Sequence, residues 1–197
     1  MVCSTTRRAM TVKSCSVPWR LGLLERVGMG QVSHARRIES YAVDFKLTHY
    51  RSVKLTHYPA IEHVGSTAVP GLAAKPIIDI DVLSASETLL PVAIERLARL
   101  GSYVHQGNLG IPEREAFLAL ANDPPHHLYV CPPRSAEFQR HIAFRDYLRA
   151  HPSAVKTYGD LKLALASQFR EDRPAYIAGK NALVAELTRR AVATQKK

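Results

Sequence analysis

No stretch of uncharged apolar residues in this sequence is long enough to cross a bilayer, because a spanning helix needs about 20 of them. A soluble, cytoplasmic protein is the expectation. Cysteine is scarce: Cys3, Cys15 and Cys131 are odd in number and widely spaced. They suit neither a disulfide framework nor a zinc site, and they fit a reducing compartment. Gly-x-x-x-x-Gly-Lys-Ser/Thr does not occur, since Gly179-Lys180 is followed by Asn181, so the sequence offers no P-loop. Gly-x-Ser-x-Gly is missing as well, which removes the nucleophile elbow of the α/β-hydrolases, and the histidines lack metalloprotease spacing. Acids are absent from the first 24 residues, which hold Arg7, Arg8, Lys13 and Arg20. Such a stretch is transit-peptide-like, or it marks a start set too early, with Met10 and Met29 as alternatives.

What is present suffices for one domain with a tail: 197 residues, of which 46% are hydrophobic. The formal charge of +10 is uneven, because residues 1–58 carry 10 Lys/Arg against 3 Asp/Glu and residues 59–197 carry 17 against 14. A basic head offers nucleic acid a route, but the mild excess elsewhere does not favour a nucleic-acid groove and is compatible with a phosphate-bearing small molecule. Residues 1–40 have no sustained period and are expected to be a poorly ordered basic extension, with a single domain over 41–197. The pentad Lys-Leu-Thr-His-Tyr occurs at 46–50 and again at 54–58, too short a duplication for a repeat fold.

Patterning predicts a strand at Ile61–Val64, a turn at Gly65-Ser66-Thr67, a helical turn over 69–74 and a strand at Ile77–Leu83. A helix follows over Glu87–Leu100, ended by Gly101. Weaker strands are expected at Tyr103–His105 and Phe117–Leu120, and a firmer one at His127–Cys131 before Pro132-Pro133. Ser135 caps a helix to Ala150, and two more run near 154–169 and 174–193. Strands first and helices last predict an α/β (α+β) fold, a mixed sheet flanked by helices with a helical C-terminal half.

Two acids interrupt the apolar strand. Side chains alternate between strand faces, so Asp79 and Asp81 share one face and Ile78, Ile80 and Val82 take the core side. Like charges two apart repel, so the bare pair is expected to be electrostatically frustrated and relieved by a divalent ion. Mg2+ (or Mn2+) suits such a pair, because Mg2+ usually takes one or two carboxylates plus substrate phosphates. Gly65 lets a phosphate approach the backbone and Ser66 adds a hydroxyl. The bland alternative is a pair of exposed acids on an edge strand.

Basic residues occupy unexpected phases. Phe138, Ile142, Phe144 and Leu148 define an apolar arc at helical spacing, and His141 and Arg145 fall inside it. Arg145 then either forms a structural ion pair, with Asp146 or Asp160, or faces the Asp79/Asp81 site or a substrate phosphate. Lys180 lies among Tyr176, Leu183 and Leu187, as a snorkelling edge residue or as a phosphate contact. Lys75, before Pro76, is a third cationic candidate or an ordinary loop residue. His127 shares a strand face with Tyr129 and Cys131, as a ligand or base or as a hydrogen-bonded structural histidine.

Hydrophobic-Gly-Ser, about a dozen residues, then Asp-x-Asp resembles the signature of the polymerase-beta-like nucleotidyltransferase superfamily. More closely, "IEHVGSTAVPGLAAKPIIDIDV", followed by "GIPEREAF", "HHLYVC", "RHIAFRDYLRAHP", "YGDLK" and "YIAGK", looks like the GrpB family of nucleotidyltransferase-like proteins, from about Ile61 to Ala191. The resemblance implies a Mg2+-dependent enzyme acting on a nucleoside triphosphate and an unnamed acceptor. In it Asp79 and Asp81 bind metal, Gly65 and Ser66 hold phosphate with Lys75, Arg145 and Lys180, and His127 stands where relatives of the superfamily often have a third carboxylate. Related domains fused to dephospho-CoA kinase imply a coenzyme A biosynthesis kinase as a partner. The rival expectation is a nucleotide-binding or scaffolding domain without turnover. The front departs from the family pattern: Pro18-Trp19 resembles a remnant of its Trp-containing segment, and the duplicated pentad does not follow it.

Overall fold

The computed structural model describes residues 58–120 and 125–195. The expected N-terminal extension and both copies of the duplicated pentad, Tyr58 excepted, lie outside the described residues. The strands are β1 (Ala60–Val64), β2 (Ile78–Leu83), β3 (Tyr103–His105), β4 (Glu115–Ala119) and β5 (His126–Cys131). The helices are α1 (Leu89–Arg99), α2 (Ala136–Ala150), α3 (Pro152–Gln168) and α4 (Arg173–Gln195). One mixed sheet runs β1-β2-β5-β4-β3, with β2 and β5 parallel and the other neighbours antiparallel. The expected mixed α/β architecture with a helical C-terminal half is therefore present.

The alternation in β2 does what it predicts. Ile78, Ile80 and Val82 are buried in one cluster with Leu128, Val130 and Phe117. Leu90, Ala93, Ile94 and Leu97, a stripe at helical spacing on α1, cover that face. Gly101 ends α1 with φ +67°, a conformation that costs glycine little. The opposite sheet face is met by the C-terminal helices, whose own core joins Leu148, Tyr158 and Leu187 to Val69 and Leu72 of the segment between β1 and β2.

α2 is started by two caps. The Ser135 hydroxyl accepts from the Phe138 amide at 3.2 Å, and the Glu113 carboxylate accepts from the Ala136 amide at 2.7 Å. His151 closes α2 and Pro152 opens α3 at a position where a missing N–H costs nothing. One expectation needs correcting. The helical turn expected over 69–74 is absent; a single 3-10 turn, Ser66–Ala68, comes directly after Gly65. Pro70-Gly71 then forms a β-turn closed by the Leu72 amide and the Val69 carbonyl at 3.2 Å, with Gly71 at φ +77°. Pro followed by a positive-φ Gly selects that turn over a helix.

Candidate functional site

The site is assembled by strand register. Val64 pairs with Asp79, and Asp79 with His127; two residues along, Glu62 pairs with Asp81, and Asp81 with Tyr129. Paired residues share a face, so two rows cross the sheet: Val64-Asp79-His127 and Glu62-Asp81-Tyr129. Gly65-Ser66 leaves β1 next to the first row. The expected placement of Gly65-Ser66 and Asp79/Asp81 on neighbouring strands is therefore what the fold produces, and the pairing of β2 with β5 adds His127 beside Asp79.

Helix α2 lies over the second row. Its residues 137, 141 and 145 recur every four positions, about 6 Å of helix rise, against the ~4.8 Å between strands. Arg145 reaches β1, donating to Glu62 at 2.7 Å and to the His63 carbonyl at 3.1 Å, and it also binds Asp146 at 2.8 Å. His141 reaches β2, with Nδ1 2.7 Å from Oδ2 of Asp81 and Nε2 3.2 Å from Oε1 of Glu137. Glu137 is held by Arg140 and lies 3.9 Å from Arg114, whose guanidinium stacks 4.3 Å above the Tyr129 ring. Arg145 is thus committed to an ion-pair cluster; Asp160, the other partner considered for it, binds Lys156.

The two aspartates consequently differ. Asp81 is 0% exposed, while the Asp79 side chain is 31% exposed and its Oδ1 lies 2.8 Å from Nδ1 of a half-exposed His127. Burial raises the Asp81 carboxyl above its usual range, and His141 pulls it back. Burial alone would lower His141, but hydrogen bonds to Asp81 and Glu137 outweigh it and bring the imidazole to about 9. His141, with Arg140, holds Glu137 down to about 2. The expected mutual repulsion of the aspartates is therefore met by a histidine on each.

Cations gather at the Asp79 end. Lys180 lies on α4 with its ammonium 5.5 Å from the Tyr176 ring centroid; burial lowers it, Asp79 favours its charge and Arg173 opposes it. Burial, then Arg173 and Lys180, bring Lys75 to about 8. Lys162 on α3 is 5% exposed, donates to the Ala73 carbonyl and lies 2.7 Å from the Ser66 hydroxyl. Burial and Lys180 bring it to about 7 against the pull of Asp79.

Sequence reasoning missed Lys162, Glu137 and Arg114. For Lys162 the signal existed: it lies four residues after Tyr158 and three before Leu165, in the apolar phase of its helix, as Arg145 does in α2. Glu137 and Arg114 carry no comparable local signal.

The donor set can be tested for a divalent ion. Oδ1 of Asp81 is buried without a hydrogen-bond partner, an orphan that a cation would satisfy. Among the described residues no group of three His, Cys, Asp or Glu side chains is arranged to hold a metal ion, so a full protein cage of the zinc type is not offered there. Two carboxylates on one strand face fit Mg2+ or Mn2+, which can complete their shell with water and phosphate oxygens.

Comparison with known proteins places the chain. The family model described as GrpB protein matches residues 33–190. The chain is 39% identical over 122 residues to the UPF0157 protein YqkA of Bacillus subtilis, covering 62% of this chain and 35% of that one. A UPF0157 protein of Pseudomonas aeruginosa is 40% identical over 139 residues, covering 68% and 55%. The chain thus spans about a third and about half of these two relatives. The crystal structure of the conserved protein GrpB from Enterococcus faecalis superposes with a TM-score of 0.69 at 28% identity, over 84% of this chain and 96% of that one.

Proposed function

The chain belongs to the GrpB family, and on that footing we propose that it is a Mg2+- or Mn2+-dependent nucleotidyltransferase, binding a nucleoside triphosphate between the Gly65-Ser66 turn and the Asp79/Asp81 strand and passing its nucleotidyl group to an acceptor. One observation carries the reading: a carboxylate pair on one strand face borders a group of lysines whose charge is disfavoured in the absence of an anion. Lysines that repel one another and lose water gain most from a phosphate chain. A divalent ion on Asp79 and Asp81 supplies charge neutralisation at phosphate oxygens. Gly65 lets the Asp79 carboxylate sit against the turn, Ser66, Lys75 and Lys180 meet the phosphate oxygens, and His127 takes the proton of the attacking hydroxyl. Arg145 drops out of the phosphate-binding set, since Glu62 and Asp146 already engage it.

Melting curves with Mg2+ and ATP, together with pyrophosphate release, test this. Binding at ~100 times Kd stabilises by about 2.7 kcal/mol, and Asp79→Asn is expected to abolish both the shift and the release. An unchanged wild-type melting temperature with each nucleoside triphosphate and either metal would sink the proposal.

A second reading, a nucleotide-binding domain without turnover, is favoured by the closure of α2 over Asp81, which is 0% exposed. It predicts the melting shift without pyrophosphate release.

A further inference from the structure

We propose that Ser66 and Lys162 form a nucleophile–base pair that attacks phosphoric esters and anhydrides, giving a phosphorylated or nucleotidylated serine. This is a covalent activity that the nucleotide reading does not require; the two share the cleft, Ser66 and Lys162, which the nucleotide reading counts among its lysines.

The geometry is specific. Ser66 is the first residue of the turn that follows Gly65 and is partly exposed. Its hydroxyl oxygen lies 2.7 Å from Nζ of Lys162, which approaches from α3. Lys162 is 5% exposed and its other hydrogen-bond partner is the Ala73 carbonyl. Both partners are neutral, unlike the carboxylate or phosphate that a structural or ligand-binding lysine ordinarily meets. A carbonyl can only accept, so one N–H points to Ala73. A neutral amine then keeps a lone pair to take the Ser66 proton. Tyr158, one turn earlier on α3 and 4% exposed, flanks the pair, with its ring centroid 5.1 Å from Nζ.

The charges around Nζ favour the free amine. Tyr158 faces it from its own helix and keeps its proton, because burial raises that phenol to about 12. Lys180 on α4 opposes an ammonium, and Asp79 on β2 is the one acid that favours it. Burial dominates and brings Lys162 to about 7, so an appreciable fraction is unprotonated at neutral pH.

In the step, the Ser66 hydroxyl proton moves to Nζ while Oγ bonds to phosphorus. The bond from phosphorus to the leaving oxygen breaks, and that oxygen departs with the electron pair. Lys162, now an ammonium, can return the proton to the leaving group, and water later restores the serine.

Diisopropyl fluorophosphate probes the pair without any nucleotide, with fluoride as the leaving group. The full-length protein is treated with it and followed by intact mass and peptide mapping. We expect a single adduct on Ser66, lost in Ser66→Ala, with a rate that rises with pH through about 7. Lys162→Arg keeps a positive charge but cannot act as a base, and Lys162→Met is the uncharged alternative should the larger side chain not fit. Either is expected to lower the rate by about a hundredfold, in samples whose far-UV spectrum and cooperative melting match the wild type. No adduct on the wild type, an adduct at another residue, or labelling of a folded Lys162 variant at the wild-type rate would overturn the pair. The nucleotide reading is judged separately by its melting shift with Mg2+ and ATP. A shift without labelling removes the pair alone, and labelling without a shift removes the nucleotide reading alone.

Discussion

Replacing Gly65 by alanine is expected to destabilise the fold for two separable reasons. The first is the backbone. Gly65 has φ 72° and ψ −167°, a region essentially restricted to glycine, where a side chain costs about 1–3 kcal/mol. The second is contact. A Cβ at this position would overlap Oδ2 of Asp79 and sit 3.0 Å from its Cγ and 3.1 Å from its Cβ. Asp79 must then turn away, giving up its bond to His127, whose net worth is about 1 kcal/mol for so exposed a pair. The sum, roughly 2–4 kcal/mol, lowers the melting temperature by about 5–15 °C for a domain of this size. Gly71→Ala is the internal control. Gly71 also has positive φ, +77°, but nothing lies within 4 Å of its virtual Cβ, so it bears only the cost of a left-handed residue, about 1–2 kcal/mol. Combining Gly65→Ala with Asp79→Ala separates the two terms: the double variant keeps the backbone cost and loses the overlap, so the changes fall short of additivity by at least ~0.5 kcal/mol. Thermal and urea unfolding measure all five proteins, the wild type included. If Gly65→Ala unfolds like the wild type, or costs no more than Gly71→Ala and adds fully to Asp79→Ala, then Gly65 is not held against Asp79 as described.

The two aspartates are expected to respond differently to amidation. Asp79→Asn, at a partly exposed pair, should shift stability by under about 1 kcal/mol. Asp81→Asn removes one member of a buried pair and should cost roughly 3 kcal/mol, the low end of such losses because Glu137 still holds His141; equal effects in urea unfolding would refute the asymmetry. The pH dependence of stability should reveal two opposing titrations. His141 has a folded value of about 9, above the unfolded value of about 6.5, so its contribution is fully present below 6.5 and is lost as pH rises through 9. Lys162 has a folded value of about 7, below the unfolded value of about 10.5, so the unfolded chain binds the extra proton between them and stability rises with pH over that interval. The wild type is therefore expected to be nearly flat between about pH 7 and 8, above which Lys75, with a folded value of about 8, adds a further rise. Lys162→Met should lose stability across that range and His141→Gln should gain it, each by at most about 1.4 kcal/mol per pH unit. Parallel profiles for all three proteins would contradict both assignments.

Local periodicity made much of this molecule readable. Ile-Asp-Ile-Asp-Val alternates with the period of a strand, so a shared face for Asp79 and Asp81 follows without tertiary knowledge. The helix stops at Gly101 and Pro152 and the cap at Ser135 are equally local. The helical turn expected after Pro70 failed because Pro-Gly encodes a β-turn more strongly than an apolar stretch encodes a helix. His141 and Arg145 stood out by lying in an apolar arc, yet their partners did not. His141 and Asp81 are 60 residues apart, and Arg145 and Glu62 are 83 apart.

That separation explains why the unequal burial of the aspartates was invisible. It depends on β1, β2 and β5 being in register, so that Glu62, Asp81 and Tyr129 form one row, and on α2 crossing that row with side chains at every fourth position. Shifting β1 against β2 by one residue would place Glu62 on the opposite face, and α2 would then have nothing on β1 for Arg145 to pair with. The ion pairs of α2 therefore report the register as much as they stabilise it. The helix that closes over Asp81 also leaves Asp79, His127 and the Gly65-Ser66 turn at its open edge. A ligand entering from that edge would meet the more exposed carboxylate and the lysines first, while Asp81 presents only its unpartnered oxygen from beneath.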